Sequence, residues 1–98
     1  MDVVRSVNGV PIRMTSERWV HIVNARDEIA GYYDEILRVV EDPDLVLRGY
    51  RGSLKAVKGF GRNRYLLVVY KELSRNDGFI ITAYFVERID RRRIVWRR

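Results

Sequence analysis

Ninety-eight residues, 47% of them apolar and eleven of them aromatic, suffice for one domain over residues 1–98 and are too apolar for wholesale disorder. With no cysteine and a single histidine, His21, the chain lacks disulfides, a thiolate nucleophile and a donor set for a transition metal, so neither a metal nor a cofactor is expected. Its formal charge of +6 divides into −4 over residues 1–47 and +10 over residues 48–98, which points to a polyanionic partner, nucleic acid first, while no apolar run approaches the roughly 20 residues that would cross a bilayer.

Asn8-Gly9 tolerates the positive φ angles of a tight turn, and the flanking runs Val3–Val7 and Val10–Met14 predict an N-terminal hairpin. Pro11 has no N–H to give a ladder and places the second of these strands at an edge or bulge. Thr15 or Ser16 then caps a helix with Glu17 in its first turn, and Trp19, Ile22 and Val23 form its buried stripe. After a break, Asp27 caps a second helix that runs to about Glu41. Ile29, Tyr33, Ile36, Leu37 and Val40 keep its helical spacing, Gly31 weakens its start, and Asp42-Pro43-Asp44 ends it.

From Leu45 onward the pattern is β. Leu45–Tyr50 and Leu54–Lys58 are strands joined by Arg51-Gly52-Ser53. A glycine-rich loop over residues 59–63 leads to Tyr65–Lys71, whose continuous apolar run predicts burial on both faces. Asn76-Asp77-Gly78 turns the chain into Phe79–Val86, and Ile89–Arg92 turns it again into Ile94-Val95-Trp96. Links this short predict antiparallel neighbours. The expected fold is α+β, with the hairpin and two helices packed on a four- to five-stranded antiparallel meander.

Three sets of residues bear on chemistry. At 100° per residue His21 points roughly opposite the apolar stripe of its helix, so it is a surface histidine, either merely solvated or available for proton transfer near neutral pH. In Phe79–Val86, alternation puts Ile81, Ala83 and Phe85 on one face and Ile80, Thr82, Tyr84 and Val86 on the other. The Thr82 hydroxyl and the Tyr84 phenol then project side by side, where they can bond a phosphate or stack a base, although both residues also simply suit strands. Arg48, Arg51, Lys55, Lys58, Arg62 and Arg64 are interleaved with Tyr50, Phe60 and Tyr65. That mixture attracts phosphate and offers aromatic faces to single-stranded nucleic acid, and the same charges would also guard a sheet edge from pairing. Arginine outnumbers lysine sixteen to three, and its planar fork suits phosphates and bases. Gly59-Phe60-Gly61 lacks the Gly-Lys-Ser/Thr of a phosphate loop. Arg91–Arg93 and Arg97-Arg98 read as basic segments that assist binding without selecting a sequence.

The ordered series Glu17-Arg18-Trp19-Val20-His21-Ile22, Glu28, Pro43-Asp44, Tyr65–Val69 and Ile80-Ile81-Thr82-Ala83-Tyr84-Phe85 resembles the small phage- and toxin-associated nucleases of the barnase–EndoU–colicin–RelE-like (BECR) superfamily, over about residues 10–97. The resemblance implies two helices followed by a four-stranded antiparallel sheet. It also implies metal-independent RNA cleavage by transesterification, in which attack by the 2′-OH leaves a 2′,3′-cyclic phosphate. Carried over by position, His21 would be a helix-borne general acid or base, and Thr82 and Tyr84 would line the site from the sheet. Arg48, Arg51 and Lys55 would bind phosphate, matching by region only. The chain departs from the family in having Arg26-Asp27-Glu28 where His-Pro-Glu is usual. Arg26 cannot give up a proton at neutral pH, but it can hold a phosphate.

The expected function is therefore a toxin-like ribonuclease with RNA and an acidic antitoxin protein as partners. The opening Met1-Asp2-Val3-Val4-Arg5 has no apolar signal core, so a cytoplasmic location is expected. Two rivals stand beside this reading. One is a catalytically silent RNA-binding module, favoured by the missing second histidine. The other is a protein-interaction subunit using the acidic second helix, with Asp34, Glu35 and Glu41 as its contact face.

Overall fold

Gly9 takes φ +79° and closes the turn between β1 (Asp2–Arg5) and β2 (Pro11–Met14) in the computed structural model, which describes residues 1–98. The chain continues through α1 (Ser16–Ala25), α2 (Tyr33–Glu41), β3 (Leu45–Arg48), β4 (Leu54–Gly59), β5 (Tyr65–Ser74), β6 (Asp77–Val86) and β7 (Ile94–Arg97). Single 3₁₀ turns lie at Asp27–Ile29 and Arg91–Arg93. The fold is α+β, with two helices and a seven-stranded sheet in the order β1-β2-β6-β5-β4-β3-β7. Neither helix is long and apolar enough to cross a membrane.

The Thr15 hydroxyl accepts a 3.0 Å hydrogen bond from the Arg18 backbone N–H and caps α1 as expected. The second helix begins at Tyr33 rather than Asp27. Asp27–Ile29 instead forms a separate 3₁₀ turn that buries Ile29 completely, and Gly31, costly in a helix, sits in the gap. An edge-to-face contact of 4.9 Å between Trp19 and Tyr33 ties the helices together. Tyr33 also donates a 2.5 Å hydrogen bond to the Asp2 carboxylate; burial and then that bond push its phenol up to about 12.

Strands β3 to β6 form the expected antiparallel meander, and three further strands enlarge it. The N-terminal hairpin joins through a single parallel register pair, Arg13 with Phe79. Strand β2 is thus flanked on both sides, contrary to the edge position that Pro11 suggested. The proline is tolerated because it heads the strand, opposite Arg5 and away from that one pair. Strand β7 pairs with β3 at the opposite edge, not with its sequence neighbour β6. Residues 87–93 carry the chain back across the face of the sheet opposite the helices. There Ile89 and Ile94 pack on Leu45, Leu47, Val57, Leu67 and Val69. Covering that second apolar patch outweighs the shorter link a local hairpin would have used.

Strand β5 is buried on both faces, as its apolar run predicted. Leu66, Val68 and Tyr70 join Ile36, Val39 and Val40 beneath the helices, and Leu67 and Val69 point to the far face. Strict alternation fails in β6. Val69 pairs with Thr82 but Tyr70 with Ile80, so Ile81 is an extra residue in a bulge. Ile80 therefore shares the helix side with Ala83 and Phe85, while Ile81 joins Tyr84 and Val86 on the far face. This corrects the assignment of Ile80 and Ile81 made from period two.

Tyr70 is completely buried and its hydroxyl has no hydrogen-bond partner. Removing an unsatisfied buried hydroxyl recovers its desolvation cost, so Tyr70→Phe is expected to raise stability by about 1 kcal/mol, read as a higher midpoint in urea unfolding.

Candidate nucleic-acid interface

Because β2 and β6 share one register pair, most of that edge of β6 is left to α1. Two arginines record the contact. Arg18 Nη1 donates to the Ile81 carbonyl at 3.4 Å, and the guanidinium of Arg26, at the C-cap, lies 4.8 Å from the Tyr84 ring centroid. These arginines are about 12 Å apart along a helix rising 1.5 Å per residue, and Ile81 and Tyr84 about 10 Å apart along their strand. Helix α1 therefore runs beside the second half of β6, with His21 between its two contacts.

His21 is exposed, as its place on the helix predicted. It lines a shallow depression with Thr15, Glu17 and Arg18. Glu17 and His21 are four residues apart and so neighbours on the same helix face. Neither Thr82 nor Tyr84 walls this depression; Arg18 is the link, since it also reaches Ile81, next to Thr82. Sequence reasoning gave no chemical role to Glu17 or Arg18, placing Glu17 only in the first turn of the helix. The i, i+4 spacing of Glu17 from His21 was a usable signal. The reach of Arg18 was not, because it depends on how α1 docks.

Thr82 and Tyr84 come together on the far face as half-buried residues, opposite Val69 and Leu67 respectively. Lys55 pairs with Val69 from the other side, so Lys55, Val69 and Thr82 cross three strands in one row. Thr82, Tyr84, Lys55 and Arg26 thus share one face. The contact of Arg26 with the ring, a cation–π pair, contributes on the order of 0.5–1 kcal/mol at such a site.

The remaining cations of the basic set lie elsewhere and do not extend this face into one patch. Lys58 turns to the helix side, 3.5 Å from Asp44 and 3.3 Å from the Asp42 carbonyl. An odd spacing from Lys55 sends it there by strand parity. Arg62 and Arg64 occupy the β4–β5 loop, where Arg64 sits 3.9 Å over the Phe85 ring. Arg48 and Arg51 lie at the β3–β4 turn, at the other end of the meander, with Arg51 5.9 Å over Tyr50. On α2, Asp34 and Glu41 are exposed, whereas Glu35 is half-buried and lines a cleft with Arg38 and Lys58. In the crossing segment, side-chain and backbone hydrogen bonds from Arg92 hold the Asp90 carboxyl below its usual range.

Comparison with known protein families, curated proteins and solved structures finds no match.

Proposed function

We propose that the protein is a small endoribonuclease that binds single-stranded RNA along α1 and the far face of β6. It cleaves by metal-independent transesterification, the chemistry implied by its resemblance to the BECR nucleases. The observation that supports this reading best is the docking of α1 along β6. That docking brings Arg18 to the Ile81 carbonyl, next to Thr82, and Arg26 over the Tyr84 ring, while Glu17 and His21 share a depression with Arg18.

In this reading the Glu17 carboxylate takes the proton of the 2′-OH as its oxygen attacks phosphorus. The His21 imidazolium gives a proton to the departing 5′-oxygen as the P–O5′ bond breaks, leaving a 2′,3′-cyclic phosphate. Arg18, beside both groups, offsets the charge that accumulates on the phosphoryl oxygens in the transition state. Tyr84 and Thr82, with Arg26 and Lys55, hold the adjoining nucleotide. The cytoplasm is the proposed place of action, and a small acidic antitoxin protein covering this cationic face is the proposed means of restraint.

The test is to incubate end-labelled single-stranded RNA with purified protein in excess chelator. Fragments ending in cyclic phosphate are expected. RNA that stays intact while bound would sink the cleavage reading. It would leave a catalytically silent RNA-binding module, which the absence of Thr82 and Tyr84 from the wall of the His21 depression already favours. In either case binding should weaken with salt. Neutralising about three phosphates predicts a slope near −2 for log K against log salt, measured by fluorescence anisotropy.

A further inference from the structure

Beyond the α1 contacts, the far face carries a second set of residues that the mechanism leaves unused. Arg13 of β2 pairs with Phe79 of β6, which pairs in turn with Lys71 of β5, so a cation, an aromatic ring and a second cation form a row across three strands. All three are half-buried. Phe79 belongs to neither apolar cluster of the fold, so core packing does not account for its ring. The Arg13 guanidinium stands 5.7 Å over that ring. An ion pair with Asp77 and a 3.3 Å hydrogen bond to the Gly78 carbonyl fix it there.

This row adjoins the proposed reaction site. Arg13, Thr15, Arg18 and Phe79 line one depression, and Thr15 and Arg18 also line the depression that holds Glu17 and His21. Arg18 therefore stands between a ring-and-guanidinium platform on one side and a carboxylate–imidazole pair on the other.

We infer that Phe79 and Arg13 form a nucleobase-stacking subsite for the nucleotide next to the phosphate held by Arg18. Unpaired bases stack on aromatic rings and on guanidinium planes, whereas the bases of a duplex are already stacked within it, so the ligand is single-stranded RNA. Lys71 supplies a cation for that nucleotide's phosphate. The inference rests on the RNA reading above and adds to it a specific place for one base.

The experiment uses the full chain and a short single-stranded RNA carrying 2-aminopurine at successive positions, together with matching oligonucleotides that have one abasic site. Wild-type protein is expected to quench the fluorophore at one position and to lose about tenfold in affinity when that position is abasic. Phe79→Leu, which keeps an apolar side chain, should lose about tenfold for the intact RNA and become indifferent to the abasic change. Phe79→Trp should restore both affinity and quenching. Wild-type affinity in Phe79→Leu, with RNA binding otherwise intact, would overturn the subsite while the RNA reading stands. Failure of wild type to bind any single-stranded RNA would overturn both.

Discussion

Replacing Gly78 with alanine is expected to lower stability by about 3 kcal/mol, the upper end for forced overpacking of a core. A Cβ at this position would sit 2.5 Å from Ile12 Cδ1 and 2.6 Å from the carbonyl oxygen of Lys71. Ile12 is fully buried and the carbonyl belongs to the β5 backbone, so neither can swing aside as a flexible surface side chain would. Relief requires β5 and β6 to part next to a register shift, between Glu72 and Ser74, where the ladder is already irregular. For a domain of this size about 3 kcal/mol corresponds to a melting temperature lower by at least 12 °C, measurable by calorimetry or circular dichroism. A loss below about 1 kcal/mol would mean that the bulged end of the hairpin yields freely. The same substitution bears on function, because the Gly78 carbonyl holds Arg13 over Phe79. Moving it should weaken RNA binding in whatever fraction stays folded.

The N-terminal hairpin turn and α1 were legible because their signals are local, whereas the start of α2 and the flanked position of β2 were not. Asn8-Gly9 demands a tight turn, Thr15 caps the residue three positions on, and Trp19, Ile22 and Val23 repeat at helical spacing. The meander was legible for the same reason, from runs of strand residues between glycine-containing turns. The partner of β7 was not. Ile94-Val95-Trp96 reads alike beside β6 or β3, and the choice falls to burial of Leu45, Leu47, Val57, Leu67 and Val69 beneath Ile89 and Ile94, contacts distant in sequence. The bulge at Ile81 was hidden because Ile80 and Ile81 are both apolar and carry no phase information. In the candidate site the exposure of His21 followed from the helix period, and the parity of Lys55 and Lys58 was available in their spacing. The contacts of Arg18 and Arg26 with β6 were out of reach, since they exist only because β2 leaves that edge open.

His21→Ala is expected to reduce the single-turnover cleavage rate by about 10² to 10⁴-fold, the usual contribution of a positioned proton-transfer group. RNA affinity should stay within about threefold of wild type. The two effects separate because His21 is exposed and fills no part of the core, while affinity resides in Arg18, Arg26, Lys55 and the stacking residues. Glu17→Gln should act on the rate to a similar extent, at a cost of only a few tenths of a kcal/mol from losing an acidic group in the first turn of α1. If the two residues work as one unit, the double variant will be scarcely slower than either single one, since removing one member already disables the pair. Lys55→Ala should show the opposite pattern, with weaker and less salt-dependent binding and a retained maximal rate, because its row on the far face offers the substrate a charge but no proton. Full cleavage activity in His21→Ala would remove His21 from the chemistry, and the proton donor would then have to be sought on the far face around Tyr84.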